Sequence, residues 1–283
     1  MSTQDKHRSA EESNRALWNE MAHVHMGAYP EVDLLRQGRE ILDEIELREI
    51  GDVRGKLLLH LQCHIGTDTL VWARHGAIVT GVDFSHVAIA CAERLRDELG
   101  LEARFVESSV YDLPSVLSER FDIVYTSRGV LCWLRDLDAW ARVIADFLVT
   151  DGVFYMMESH PILNALEEES PGVLSFVHPY YHMVEPTRFE AGGPDYADPN
   201  HRLGHPSHEW VWGTGELLSA LIRVGMQLEI YNEYDRLFFR RYPSMTSEDG
   251  RWYRLPQYGG MVPLLFTLRA RKAGAAERSV RAR

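Results

Sequence analysis

The sequence predicts an α/β fold in which a mostly parallel sheet is covered by helices on both faces. Three observations carry this expectation. Near-continuous apolar runs of strand length recur between residues 56 and 158, and each is followed by a stretch of helical length and spacing. The chain is 283 residues with 45% hydrophobic and 25% charged residues, the balance of an ordinary globular domain rather than a disordered or coiled-coil chain. No apolar run reaches the roughly 18 residues a membrane-spanning helix needs.

Taken in order, residues 1–13 read as a loose polar leader. Apolar spacing predicts helices over 14–21 and 32–50, with a loop between them that holds Gly27 and Pro30. Strands are expected at 56–61, 77–83, 103–108, 121–127 and 152–158, with helices at 67–76, 85–100 and 136–149 between them. This alternation defines a Rossmann-like α/β core. It stops after Glu158, and residues 159–212 carry seven prolines and six of the 13 histidines. So long an irregular stretch inside a compact domain reads as a lid or binding element. A helix at 214–225 and strands at 227–235 and 263–272 then resume the core. The expected organisation is an N-terminal helical cap (1–50), an α/β core (51–158), a lid insertion (159–212), the remainder of the core (213–272) and a disordered tail (273–283).

The 30 Lys and Arg residues are outnumbered by 42 Asp and Glu, a net charge of −12. Such a surface repels phosphate backbones, so nucleic acid is not an expected partner. Cys63, Cys91 and Cys132 are odd in number and widely spaced, with no CxxC pair. They suit a reducing compartment better than a disulfide framework. The polar N-terminus lacks the apolar segment of a secretory signal, so the expected location is cytoplasmic. His201, His205 and His208 have spacings reminiscent of metal ligands, but Gly204 and Pro206 interrupt them, and no metal is expected. Glu167, Glu168 and Glu169 read as a solvated helix face.

In open α/β sheets ligands bind outside the carboxyl ends of the strands. The first strand-to-helix turn reads LHLQCHIGTDTL (59–70), and the second strand ends in the acid of GVDFS, Asp83. A carboxylate there can accept both hydroxyls of a ribose, and Gly66 lets backbone approach a ligand closely. The G-x-G-x-x-G of dinucleotide sites is absent. On these residues the chain resembles the class I S-adenosylmethionine-dependent methyltransferases. The family's acid-x-Gly-x-Gly-x-Gly turn would fall on His60, Gln62, His64 and Gly66, and only Gly66 matches, so the turn is a variant. The resemblance implies methionine-end contacts from Gln62, Cys63, His64 and Gly66. It also implies ribose and adenine contacts from Asp83 and Phe84. FVESSVYDLP is similar to the third-strand motif and implies adenine contacts from Ser109, Val110 and Tyr111. FDIVYTSRGVLCWL is similar to the fourth and puts Ser127 and the 128–131 backbone near the sulfonium. The variant turn and aromatic insert look like the specialised-metabolite branch, with a likeness to the indole C3-methyltransferases of physostigmine-type pathways.

The resemblance makes S-adenosylmethionine the expected cofactor and a small aromatic molecule the expected substrate. Trp18, Tyr29, Trp133, Tyr180, Tyr181 and Trp210 are the candidate walls of its pocket. The candidate bases are His182 and His178, then Glu158 and His160, with Tyr181 orienting the acceptor; a histidine titrates near neutrality without tuning. A protein that binds the cofactor without methylating, and a nicotinamide-dependent dehydrogenase, stay open as alternatives. A serine hydrolase is set aside, since its G-x-S-x-G elbow is missing.

Overall fold

The computed structural model describes residues 3–274. Its centre is a seven-stranded sheet built from β1 (Leu57–Leu61), β2 (Ile78–Asp83), β3 (Arg104–Glu107), β4 (Phe121–Ser127), β5 (Leu148–Ser159), β6 (Met226–Tyr234) and β7 (Leu265–Lys272). The spatial order is β6-β7-β5-β4-β1-β2-β3. β1 to β5 run parallel, while β7 is antiparallel to both β5 and β6. The chain winds outward from β1 to β3, then crosses back to β4. A crevice therefore opens between the carboxyl ends of β1 and β4, where such sheets bind ligands.

Helices α1 (Thr3–Ala28), α2 (Pro30–Arg36) and α3 (Glu44–Ile50) precede the sheet. Within and after it come α4 (Thr67–Arg74), α5 (His86–Leu99), α6 (Leu137–Phe147) and α7 (Thr214–Arg223). Two cores result. One face buries Trp140, Ile144, Leu217 and Leu221 from α6 and α7, and the other buries Leu35, Ile45, Leu70, Trp72 and Leu95 from the remaining helices. Strands packed on both faces need apolar side chains in both directions, which is why the runs at 57–61 and 121–127 are so nearly continuous.

The N-terminal expectations need correction. Residues 3–13 are not a loose leader but the first turns of α1. The buried stripe of that helix is Ala10, Asn14, Leu17, Met21 and His25, helically spaced but with two polar members. α1 ends before Tyr29 because Pro30 disfavours helical backbone at the residue before it. The helix expected over 32–50 is two helices, parted by Gly38 at φ +75° and restarted by a capping box. There Asp43 accepts the Ile45 amide, and Glu46 reaches back to the Asp43 amide.

Residues 159–212 are more ordered than their prolines suggest. Leu166–Ser170 pairs with Val173–Phe176, and Thr187–Phe189 pairs with Ser207–Glu209. Glu167–Glu169 therefore lie on a hairpin strand, not a helix. The loop from β6 to β7 folds back on this insert. Leu237, Tyr242, Met245, Leu255 and Leu264 pack with Leu163 and Leu166 in a third core. α1 also grips the insert. The side-chain amide of Asn14 donates to the His208 carbonyl (2.7 Å) and accepts from its amide (2.8 Å), and Glu20 accepts from His201 and the Gly204 amide. The predicted tail beyond residue 274 lies outside the described residues.

Candidate active site

The turn after β1 has an unusual backbone. Gln62, His64 and Gly66 have φ of 57°, 50° and 75°. Left-handed backbone costs an L-residue about 1–2 kcal/mol, so Gln62 and His64 hold glycine-like conformations at a penalty. Gly66 has no such option: a Cβ there would stand 2.8 Å from Ala92 Cβ and from the Phe105 ring. Besides these two residues, Arg128, just past the end of β4, and Asp151 are the only other non-glycine residues at positive φ among the described residues. Three of the four thus border the crevice between β1 and β4. Three side-chain atoms there, Gln62 Oε1, His64 Nδ1 and Arg128 Nε, are buried with no hydrogen-bond partner among the described residues. Strain and orphaned polar atoms together make this crevice the candidate site.

Asp83 ends β2 beside this turn. Its carboxylate accepts from the His64 amide (2.9 Å) and the Ser85 amide (2.9 Å), while Ser85, not Asp83, caps α5. Burial raises its pKa to about 6, opposed by those N–H donors. Ser109 Oγ accepts from the Tyr111 amide, Val110 is part of the core, and Tyr111 lies under the Arg135 guanidinium (4.2 Å). Phe84 faces Arg15 of α1. Buried Cys63 packs its thiol beside Gly81, and burial pushes that thiol's pKa up. Ser127 Oγ donates to Asp68 at the start of α4 (2.9 Å). Asp68 and Glu46 also accept from the Tyr125 hydroxyl, and Glu46 pairs with Arg128. This carboxylate–guanidinium network fixes the β4 end, and no motif in the sequence signals it.

The candidate bases are not gathered at this turn. The Glu158 carboxylate accepts the amides of Gly129 (2.7 Å), Val130 (2.6 Å) and Ser159 (2.6 Å) and the Ser159 hydroxyl. It is a buried brace for the loop after β4, with its lone pairs engaged. His160 is held between the Ile162 amide and Glu233 of β6. His182 stacks flat on Trp212 (3.7 Å) and meets the Val211 carbonyl. Tyr181 is 77% exposed on the outer surface. His178 pairs with Glu167.

The six aromatic residues named from the sequence divide in the same way. Trp18, Tyr29 and Trp133 come together over the first turn: Trp18 packs edge-on against His64 (5.0 Å) and Trp133 (5.3 Å). Trp210 is buried against His7 instead. Tyr180 and Tyr181 line, with Trp212, a groove of about 590 Å³ between the N-terminal end of α6 and one side of α7. That groove involves no residue of the first turn. The structure brings His25 of α1 to His64, and Asp195 of the insert to His25. Neither was legible as a site residue, since 170 positions separate them. Among the described residues no group of three or more His, Cys, Asp or Glu could hold a metal ion.

Residues 59–154, about a third of the chain, match the family model described as a methyltransferase domain. No curated protein matches the chain in sequence. Among solved structures, it is similar to an S-adenosylmethionine-dependent methyltransferase from Mesorhizobium loti at 22% identity and a TM-score of 0.56, covering 80% of this chain and 96% of that one. A second such enzyme, from Clostridium acetobutylicum, gives 13% identity and a TM-score of 0.56, covering 91% and 99%. The complex of DhpI with SAH gives 15% and 0.55, covering 93% and 97%. At these identities the likeness is one of fold. Residues 59–154 thus match a methyltransferase domain, and the chain has the fold of the S-adenosylmethionine-dependent methyltransferases.

Proposed function

We propose that this chain transfers a methyl group from S-adenosylmethionine to a small aromatic metabolite, with an indole-type acceptor favoured by the sequence resemblance. The observation that carries the reading is the strained first turn with its orphaned atoms, roofed by Trp18, Tyr29 and Trp133. Concave sites lined by aromatic side chains with a few polar groups suit small molecules. The acidic net charge and the three free cysteines support a cytoplasmic setting without a nucleic-acid partner.

The residues present fit the cofactor. Asp83 would take the ribose hydroxyls, and Phe84 with the Ser109–Tyr111 turn would flank the adenine. Gln62 Oε1, a buried acceptor without a donor, with the backbone of Cys63, His64 and Gly66, would take the methionine end. When bound, the cofactor supplies an electrophilic methyl group on a positively charged sulfur. The chain's own task is positioning: it must align the acceptor with that methyl and keep water away. In this reading α1 to α3 and residues 159–212 form the cover, held together by Asn14 and Glu20.

The test is calorimetric titration with S-adenosylmethionine, S-adenosylhomocysteine and NAD, followed by an acceptor screen by mass shift. Micromolar binding of both adenosyl ligands, none of NAD, and methyl gain on an aromatic acceptor is the expected result. Binding of NAD alone overturns the cofactor assignment. Tight adenosyl binding without turnover on any aromatic acceptor overturns the substrate class.

A further inference from the structure

A buried hydrogen-bond chain crosses from the insert to the first turn. Asp195 Oδ1 accepts the amides of Ala197 (2.7 Å) and Asp198 (3.0 Å), so the carboxylate is fixed as an acceptor. Its Oδ2 lies 3.0 Å from His25 Nε2, with both side chains fully buried. His25 Nδ1 lies 2.8 Å from His64 Nε2. One polarity satisfies every link. His25 Nε2–H donates to Asp195, which leaves His25 Nδ1 bare to accept from His64 Nε2–H. His64 Nδ1 is then a bare lone pair. That atom is buried and without a partner among the described residues, in a ring packed edge-on against Trp18. Tyr29, stacked on His25 at 4.3 Å, and Tyr196, hydrogen-bonded to Tyr29, close the other side.

We propose that His64 Nδ1 is the catalytic base that removes a proton from the aromatic acceptor, with His25 and Asp195 as positioning residues that set its tautomer. The inference rests on the methyltransferase reading and deepens it: the acceptor class becomes aromatic molecules bearing a weakly acidic N–H or O–H. The balance is simple. His64 Nδ1 takes the proton; the electron pair freed on the acceptor, at that heteroatom or delivered through the ring to carbon, forms the bond to the methyl carbon. The carbon–sulfur pair leaves with sulfur, so a neutral thioether departs. The imidazolium formed at His64 shares its charge along the chain to Asp195, inside a site too dry to solvate it. Burial lowers the pKa of both histidines, which favours the neutral rings this polarity requires.

Two measurements on the full chain test this. The ¹⁵N spectrum of the histidine imidazoles should show His64 neutral, with Nε2 protonated and Nδ1 bare. A proton on Nδ1 overturns the proposal whatever the activity. His64→Gly suits the positive φ there and opens room for a small base. It should lower kcat about a hundredfold or more, consistent with loss of a general base. Added imidazole should restore part of the rate. His25→Phe should lower kcat about tenfold or more and shift the His64 spectrum toward mixed tautomers. Full turnover in His64→Gly overturns the proposal. If instead the wild-type chain transfers no methyl group to any aromatic acceptor, the underlying reading fails, and the tautomer spectrum still decides whether the chain of bonds exists.

Discussion

Gly66 shows how much a single position can be asked to do. It sits at φ +75°, and an added Cβ would meet Ala92 and Phe105 at 2.8 Å. Gly66→Ala combines left-handed strain of about 1–2 kcal/mol with overpacking of about 1–3 kcal/mol. It should therefore cost about 2–5 kcal/mol in urea unfolding; an unchanged midpoint would contradict the packing described. Asp83 makes a prediction about pH. Its folded pKa of about 6 lies above the ordinary 3.8, so the native state binds the proton more tightly than the unfolded chain. Its burial is free below about pH 4, destabilises progressively from pH 4 to 6, and weighs in full above, by about 3 kcal/mol. Hydroxyl donors favour the ionised form. Adenosyl affinity should accordingly drop about tenfold per pH unit below 6, and flat calorimetric affinity from pH 5 to 8 would count against Asp83 as the ribose ligand. Gly66 and Asp83 were legible because a turn and a strand end are local features. The pairing of His64 with His25 and Asp195 was not, because a hydrogen bond between distant segments leaves no spacing in the sequence.

At the scale of elements, the β1 to β5 run was readable because burial on both faces forces apolar continuity. α1 was readable only over residues 14–21, since its inward stripe includes Asn14 and His25, whose partners come from the insert. Polar residues on a buried stripe look like solvated ones until the facing element is known. The same blindness applies to Glu167–Glu169, whose strand is set by pairing across the Pro171–Gly172 turn; Glu168 accepts the Gly172 amide at 2.6 Å. Asn14 offers a direct test of the α1–insert contact. Asn14→Ala leaves the His208 amide and carbonyl without that partner, a loss of about 1–3 kcal/mol. Hydrogen exchange should quicken in both α1 and residues 200–209 while β4 and β5 keep their protection. A change confined to α1 would mean that the helix does not hold the insert.

Across the whole molecule, the crevice at the β1–β4 switch point, the cover formed by α1 and the insert, and the relay joining them make one site from segments distant in sequence. A ligand that bridges them should stabilise the fold as a unit. At a hundred times its dissociation constant, S-adenosylhomocysteine adds about 2.7 kcal/mol, an upward Tm shift of about 5–10 °C. NAD should give none. The groove beside Trp212, which no residue of the first turn lines, offers the contrasting location for a ligand. A crystal structure of the protein with S-adenosylhomocysteine and an aromatic acceptor decides between them. The ribose is expected on Asp83, the thioether between the ends of β1 and β4, and an acceptor heteroatom within hydrogen-bond reach of His64 Nδ1. Adenosyl density in the Trp212 groove, or an acceptor whose heteroatom faces away from His64, would contradict this arrangement.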